Sequence, residues 1–435
     1  MMRNGLLILM IGLLMGCASG DRLVKVADDA WAKNSVNTTV FRNQSVVTHG
    51  DRQYTAFYDA EGVMVLAARA LGSDEWELHR SQYSGNVRDA HNGISLGVDG
   101  DGVLHVAWDH HGHPLHYVRA VGAGSLELGA MSPMVGTQEG HVTYPEFCSL
   151  PDGDLIFAYR DGSSGNGNMV LNRYDNQTNT WSRVQSSLID GEGERNAYWQ
   201  MCVDVEGGLH VSWVWRETYN VETNHDLCYA YSPDGGESWF RSDRTTAYSL
   251  PITAANAEYV CMIPQRSELI NQTSMTCDDK TRPYIASYWR DAESDVPQYR
   301  LVYYDGEEWH QQQVSQRQTP FSLSGAGSKK IPIARPRLAV RTGRGERIEV
   351  YYVFRDEERG SRVSLAECAN LAEGEWTVRD VTEFSVESWE PSYDTKLWSE
   401  RGELHLFVQH TGQGDGEQLE EVAPQPVYIL EIFAH

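Results

Sequence analysis

Apolar residues recur along this chain in short alternating runs, not in helical stripes. Seven runs of similar length stand out: Tyr54–Ala60, Leu104–His110, Leu155–Asp161, Leu209–Trp215, Tyr284–Arg290, Ile348–Phe354 and Leu404–His410. Apolar positions alternating with period two, rich in aromatic and β-branched residues, predict β-strands with one or both faces covered. Most runs follow a turn bearing Gly or Asp (DGDG, PDGD, EGG, GRGE, ERGE), which predicts a hairpin leading into each. A second marker, a turn and then a Trp, comes after most runs, at Trp76, Trp181, Trp239, Trp309 and Trp376. Repeated four-stranded units of this length predict an all-β fold, a seven-bladed β-propeller. Val427–Phe433 (VYILEIF) supplies a late strand for a closing blade shared by the two ends of the chain. The even spacing, with no Pro/Ser-rich linker, disfavours two separate β-sandwiches.

Two consecutive hairpins carry most of the chemistry. The first runs from Asp89 to His111, the second from Thr143 to Gly162. In an antiparallel hairpin the start of one strand lies beside the end of the next. His91 is therefore expected near His111, and Tyr144 near Arg160. Tyr198 stands four residues before Cys202, as Tyr144 stands four before Cys148, and Arg216 ends the strand after it. In a propeller the open ends of such hairpins meet on one face, so His91, Asn92, His111, Tyr144, Arg160, Tyr198 and Arg216 form the candidate site. His105, His210 and His405 lie mid-strand and read as structural.

The 435 residues carry a formal charge of −25. That argues against a nucleic-acid partner. It leaves room for an anionic ligand, because a local Arg and His cluster outweighs distant, screened charges. At the N-terminus, Arg3 precedes an apolar run, Leu6–Met15, that ends in Leu-Met-Gly-Cys at Cys17. The run is too short to span a bilayer and reads as a signal peptide over residues 1–16. Its end resembles a lipobox, which makes Cys17 an acylated first residue and the protein an exported bacterial lipoprotein. Ala18 resembles the pattern of those sorted to the outer membrane. Residues 17–45 then form a tether and lead-in, and residues 46–435 the catalytic propeller. The protein is expected to be a monomer.

Six further cysteines could pair in an exported protein. Cys148, Cys202 and Cys277 instead share one slot of the repeat, where Gly97 stands one hairpin earlier, so small buried thiols are expected there. His225 and Cys228 offer half of a metal site with no visible second half.

His, Tyr and Arg without a carboxylate pair suit elimination better than hydrolysis, which needs two Asp or Glu groups at a set separation. Elimination from a uronate needs a cation on the carboxylate, a base for the C5 proton and an acid for the departing O4. Arg160 suits the first task. His91 and Tyr144 suit the proton transfers, with His91 as base or the two reversed. His111, Tyr198, Asn92 and Arg216 are candidates for holding the sugar.

The stretches DAHNGISLGVDGDGVLHVAWDHHGHPLHY, TYPEFCSLPDGDLIFAYRDGSSGNG and AYWQMCVDVEGGLHVSWVWRET resemble the BNR-repeat propeller proteins that include ulvan lyases of polysaccharide lyase families 24 and 25. The resemblance runs from about Tyr54 to Tyr288. It implies a seven-bladed propeller that cleaves ulvan, an anionic sulfated algal polysaccharide of rhamnose 3-sulfate and uronic acid, by internal β-elimination. It also implies that the family's active-site His, His, Tyr, Arg and Tyr fall on His91, His111, Tyr144, Arg160 and Tyr198. No cofactor is implied for catalysis. Structural metals such as zinc or calcium occur in such propellers, with no ligands assigned here. The competing readings are a sialidase-like hydrolase, because Ser232–Trp239 matches the Asp-box pattern S-x-D-x-G-x-x-W, and a non-catalytic glycan-binding propeller.

Overall fold

The computed structural model describes residues 20–272 and 274–433. The signal peptide and Cys17 lie outside the described residues. Among the described residues strands dominate, and the one α-helix is Thr395–Arg401. All seven runs form strands, each held in an antiparallel sheet by its neighbours in sequence.

The sheets follow one another along the chain in a propeller-like series. Val46–His49, Arg52–Tyr58, Val63–Ala70 and Glu77–Ser84 form the first. Ile94–Val98, Leu104–Trp108 and Tyr117–Arg119 form the next. A nine-stranded sheet then combines the short strand His111–His113 with two four-stranded hairpin sets, 142–185 and 196–261, the sets joined by one parallel pairing of Gly167 with Asn196. Two four-stranded sheets, 274–313 and 337–380, come after it. The last sheet places Gln425–Ile432 between Leu404–Gln409 and Arg22–Ala30. Part of the expected lead-in is therefore a strand of that sheet, with Arg22 opposite Glu431 in register. The two ends of the chain share one sheet because each supplies an edge that the other covers.

Local chemistry explains the repeat. In three inner hairpins an Asp side chain closes the turn. Asp99 accepts from the N–H groups of Asp101 and Val103, Asp204 from those of Glu206 and Gly208, and Asp278 from those of Lys280 and Arg282. An Asx turn of this kind fixes the hairpin at an otherwise exposed bend. Ser232–Trp239 forms the expected box: the Asp234 carboxylate accepts from Ser238 N, and the Trp239 indole N–H donates to Gly236 O at 2.9 Å. Trp239 is buried, whereas Trp181 and Trp309 on outer strands, and Trp76 and Trp376 just before them, are only half-buried.

The small slot is real. A Cβ at Gly97 would meet the Phe147 ring at 2.9 Å. Cys148 is buried in the equivalent place, and all six described cysteines are free thiols. Cys202 and Cys277 face each other at Sγ–Sγ 3.4 Å across neighbouring sheets. His105 and His210 are structural, each fully buried between an Asp and a Tyr hydroxyl (Asp99 and Tyr117, Asp204 and Tyr229). His405 is buried and bonded to Gln53.

Candidate active site

The two hairpins are neighbours, as their chemistry required. His111–His113 pairs with Val142–Ser149, with His111 opposite Thr143, and Gly112 N donates to the Thr143 hydroxyl at 2.7 Å. Thr143 is in turn opposite Arg160. The ends of both hairpins thus open into one cavity of about 240 Å³, lined by His91, His111, Tyr144, Arg160, Tyr198 and Arg216 among others.

His91 and His111 stack with ring centroids 3.9 Å apart. One carboxylate holds both: Asp89 Oδ1 lies 2.8 Å from His91 Nδ1, and Oδ2 lies 2.6 Å from His111 Nδ1. His91 Nδ1 also faces Glu417 Oε1 at 3.2 Å. Burial works against charge on His91, but the two carboxylates prevail and raise its pKa to about 9. Burial, only partly offset by Asp89, moves His111 the other way, below the ordinary imidazole value. Asp89 is itself held well below the carboxylate range by the two imidazoles, against its burial. Near neutral pH the stacked pair therefore carries one excess proton, on His91. His111 is then neutral, with Nδ1–H on Asp89. The expected role of His91 as base needs a neutral imidazole, which this arrangement disfavours, because a second carboxylate reaches it from residue 417. His110, next in sequence, is fully buried and its Nε2 accepts from His116 N, which assigns the site position to His111.

Tyr144 sits where the pairing of its strand slips a register, between Thr143 and Glu146, with φ +55°. A bulky residue in the left-handed region is strained, and such strain gathers at functional sites. Its ring lies under the Arg160 guanidinium, 4.9 Å from centroid to Cζ, and 5.8 Å from the Tyr198 ring. Burial and the neighbouring Tyr198 push its phenol up to about 12, so Tyr144 holds its proton.

Arg160 is 2% exposed. Gly167 makes room for it: a Cβ there would lie 2.8 Å from the Arg160 side chain. With the Asn196 amide nitrogen donating to Gly167 O, its oxygen accepts from Arg160 Nη1 at 2.9 Å. Arg216 lies over the Tyr198 ring, donates to the carbonyls of Thr218 and Tyr219, and reaches the Tyr198 hydroxyl at 3.4 Å. Burial alone would raise the Tyr198 phenol. Arg216 and Arg160 outweigh it and bring the pKa down to about 8.

Asn92 does not belong to this group. It is fully buried, its amide donates to Asn86 O at 2.9 Å, and it does not line the cavity. It lies in the bend that carries His91 and serves to fix that bend. His225 and Cys228 form no half-site either. Both His225 nitrogens face carboxylates, Asp226 and Glu217 at 2.9 Å, while Cys228 is buried in a hydrophobic cluster. Among the described residues, Asp89, His91 and His111 bring ligand-type atoms within 4.8 Å of one another. The Nδ1 atoms of both histidines face the single carboxylate of Asp89.

Several residues were not anticipated. Phe41, from the expected lead-in, stacks on His91 at 5.1 Å and leans on Tyr144 at 5.0 Å. Arg335 covers Phe41 and makes a two-pronged pair with Glu390, both contacts 2.6 Å. Glu417 accepts from Ala90 N and Ser328 N, tying the His91 bend to a second loop. Arg355 lines the far wall. Among the described residues, Arg160, Arg216 and Arg355 have no carboxylate partner within 4.0 Å, in a protein with a net charge of −25. The cavity is a local concentration of positive charge.

The BNR repeat-containing family matches residues 52–317. The long isoform of ulvan lyase from Pseudoalteromonas sp. (strain PLSV) is 27% identical over 180 residues, 37% of this chain and 18% of that protein. The long isoform from Glaciecola sp. (strain KUL10) is 33% identical over 108 residues, 22% of this chain and 11% of that protein. The matched regions thus span less than a fifth of the length of these curated relatives. Among solved structures, the polysaccharide lyase Uly1 superposes with a TM-score of 0.69 at 15% identity, covering 94% of this chain and 98% of that one. A PL25 ulvan lyase bound to -[GlcA(1-4)Rha3S]- superposes with a TM-score of 0.68 at 14% identity, covering 94% of this chain and 95% of that one. At these identities the structural likeness is one of fold.

Proposed function

The chain belongs to the BNR repeat-containing family, and from that premise we propose that it is a polysaccharide lyase that cleaves ulvan by β-elimination on a seven-bladed β-propeller. The bond broken is the one between rhamnose 3-sulfate and uronate, within the polymer chain. The observation that carries this reading is the cavity itself. A stacked imidazole pair held by one carboxylate stands beside a buried phenol and buried arginines that lack carboxylate partners.

The steps follow from those charges. Arg160 neutralises the uronate carboxylate with a planar fork, so that charge can build on it as the C5 proton leaves. The neutral imidazole of the pair, His111, accepts that proton; its Nδ1–H stays on Asp89, which stabilises the imidazolium formed. The C5–H electrons become the C4–C5 double bond, and the C4–O4 bond breaks. Tyr144 donates its phenolic proton to O4. The imidazolium of His91 and the pair Arg216–Tyr198 hold the sugar. Water is not consumed, and no cofactor is required.

Hydrolysis lacks support from the same cavity. Asp89 and Glu417 are committed to imidazoles and Glu390 to Arg335, so among the described residues no free carboxylate pair lines it. The test is to incubate the protein with ulvan and other uronate polymers and follow the ultraviolet absorbance of the conjugated 4,5-unsaturated uronate. A rise with new reducing ends supports elimination. New reducing ends without absorbance mean hydrolysis, and neither signal means a binding protein.

A further inference from the structure

An aromatic–Arg–acid triplet closes the second strand of four hairpin sets: Tyr159-Arg160-Asp161, Trp215-Arg216-Glu217, Phe354-Arg355-Asp356 and Trp289-Arg290-Asp291. The first three arginines reach the same cavity; Arg290 does not line it and faces Glu268 instead. The first two lie close together, both acting on Tyr198. The third stands apart, on the strand Ile348–Asp356, and the sheet of Ser274–Cys277 intervenes in the chain.

Arg355 is 3% exposed. Its Nη1 donates to Ile331 O at 3.0 Å, and its Nε is buried with no partner. Its own backbone carbonyl is fixed by Tyr299 Oη and Ala334 N. The neighbouring acid, Asp356, does not neutralise it, because Asp356 pairs with Arg317 at 2.6 Å. The nearby Glu390 is held by Arg335. A buried guanidinium with an unused donor is costly unless an anion completes it. Elimination requires a cation at the carboxylate of the sugar being opened, and on the reading above Arg160 supplies it while Arg216 acts with Tyr198.

We propose that Arg355 is a second anion subsite that binds the sulfate ester of the sugar adjoining the opened uronate, and so sets the enzyme's preference for sulfated substrate. The inference rests on the lyase reading for its substrate. A sulfate ester stays ionised at any pH in which the protein folds, and its three terminal oxygens accept from a guanidinium in several orientations. Arg355 comes from a different wall than Arg160, so one sugar chain can engage both.

Turnover is compared on ulvan and on the same polymer after chemical desulfation. The wild type should favour the sulfated polymer in kcat/KM. Arg355→Gln should lower that sulfated-to-desulfated ratio by about 10- to 100-fold, the range of a charge-assisted hydrogen-bonded contact. No preference in the wild type overturns the proposal. So does an equal loss on both polymers, which would mean that Arg355 supports the fold or meets a carboxylate. Should Arg355→Gln fail to fold, judged by its melting curve, Arg355→Lys is read in its place, with a smaller fall in the same ratio. A calorimetric titration of wild type with methyl rhamnoside 3-sulfate and with methyl rhamnoside needs no turnover. Tighter binding of the sulfated sugar supports the subsite, and equal binding overturns it. Absence of unsaturated product from every uronate polymer would overturn the lyase reading alone, and the titration would still decide the subsite.

Discussion

Replacing Glu417 by Gln tests the electrostatic core of the site. The amide keeps the size and the acceptor oxygen that meet Ser328 N and Ala90 N, and removes the charge 3.2 Å from His91 Nδ1. The groups facing His91 are Asp89, Glu417 and His111, with the Phe41 and Tyr144 rings; Arg160 acts on the stacked His111. An opposing charge at this distance is worth about 1–3 pKa units. The His91 value of about 9 should therefore fall by about 1–2 units, while Asp89 keeps it above that of His111. The assay is the nitrogen chemical shift of ring-labelled His91 against pH, beside the alkaline limb of kcat/KM. Both should move down together. Stability gives a second readout. The folded pKa of His91 lies above the unfolded value of about 6.5, so its contribution is fully present below pH ~6.5 and is lost as pH rises through about 9. The wild-type contribution is on the order of 3 kcal/mol at about 1.4 kcal/mol per unit. The variant should lose a substantial part of it at acid pH, and the gap should narrow above pH ~9. If His91 in the variant titrates where it does in the wild type, Glu417 is not what holds its proton.

Other outcomes follow from the same geometry. Arg160→Lys should lose about 10²–10³ in turnover, because a point charge cannot replace a fork that spans a carboxylate; near-normal rates of unsaturated product would remove Arg160 from the mechanism. Tyr198→Phe should abolish the phenol titration near pH 8 in a difference ultraviolet spectrum, since Arg216 and Arg160 favour its ionised form; persistence of that transition would assign it elsewhere. Cys17→Ala should move the protein from the membrane to the soluble fraction, and unchanged membrane association would refute a lipid anchor at that residue.

Hairpin register made much of this site readable in advance. His91 beside His111, and Tyr144 beside Arg160, follow from antiparallel pairing alone, because both partners lie within one stretch of about twenty residues. Neighbouring repeats placed Tyr198 and Arg216 by the same logic. Glu417, Arg335 and Glu390 had no such signal: they reach His91 and Phe41 from some three hundred residues away, and only sheet packing brings them there. Arg355 carried a partial signal, the aromatic–Arg–acid triplet that it shares with Arg160, Arg216 and Arg290, of which Arg290 does not line the cavity. Asn92 was misread because adjacency to His91 says nothing of direction, and in the bend the two side chains diverge. The protonation of His91 was not legible for a related reason: pKa depends on the sum of neighbours, and one of the two carboxylates was invisible locally.

The last sheet has a consequence for the order of events in time. Its central strand, Gln425–Ile432, pairs on one edge with a strand made nearly four hundred residues earlier. Such a pairing closes a very long loop, so it forms late and slowly, after the local hairpins have folded. Glu417 sits in the segment just ahead of that strand. A chain whose ends have not yet met would already have its arginines lodged in their hairpins, while lacking the residue that charges His91. On the lyase reading proposed above, grip on an anionic polymer would precede cutting, and activity would serve as a report that the first and last strands have joined.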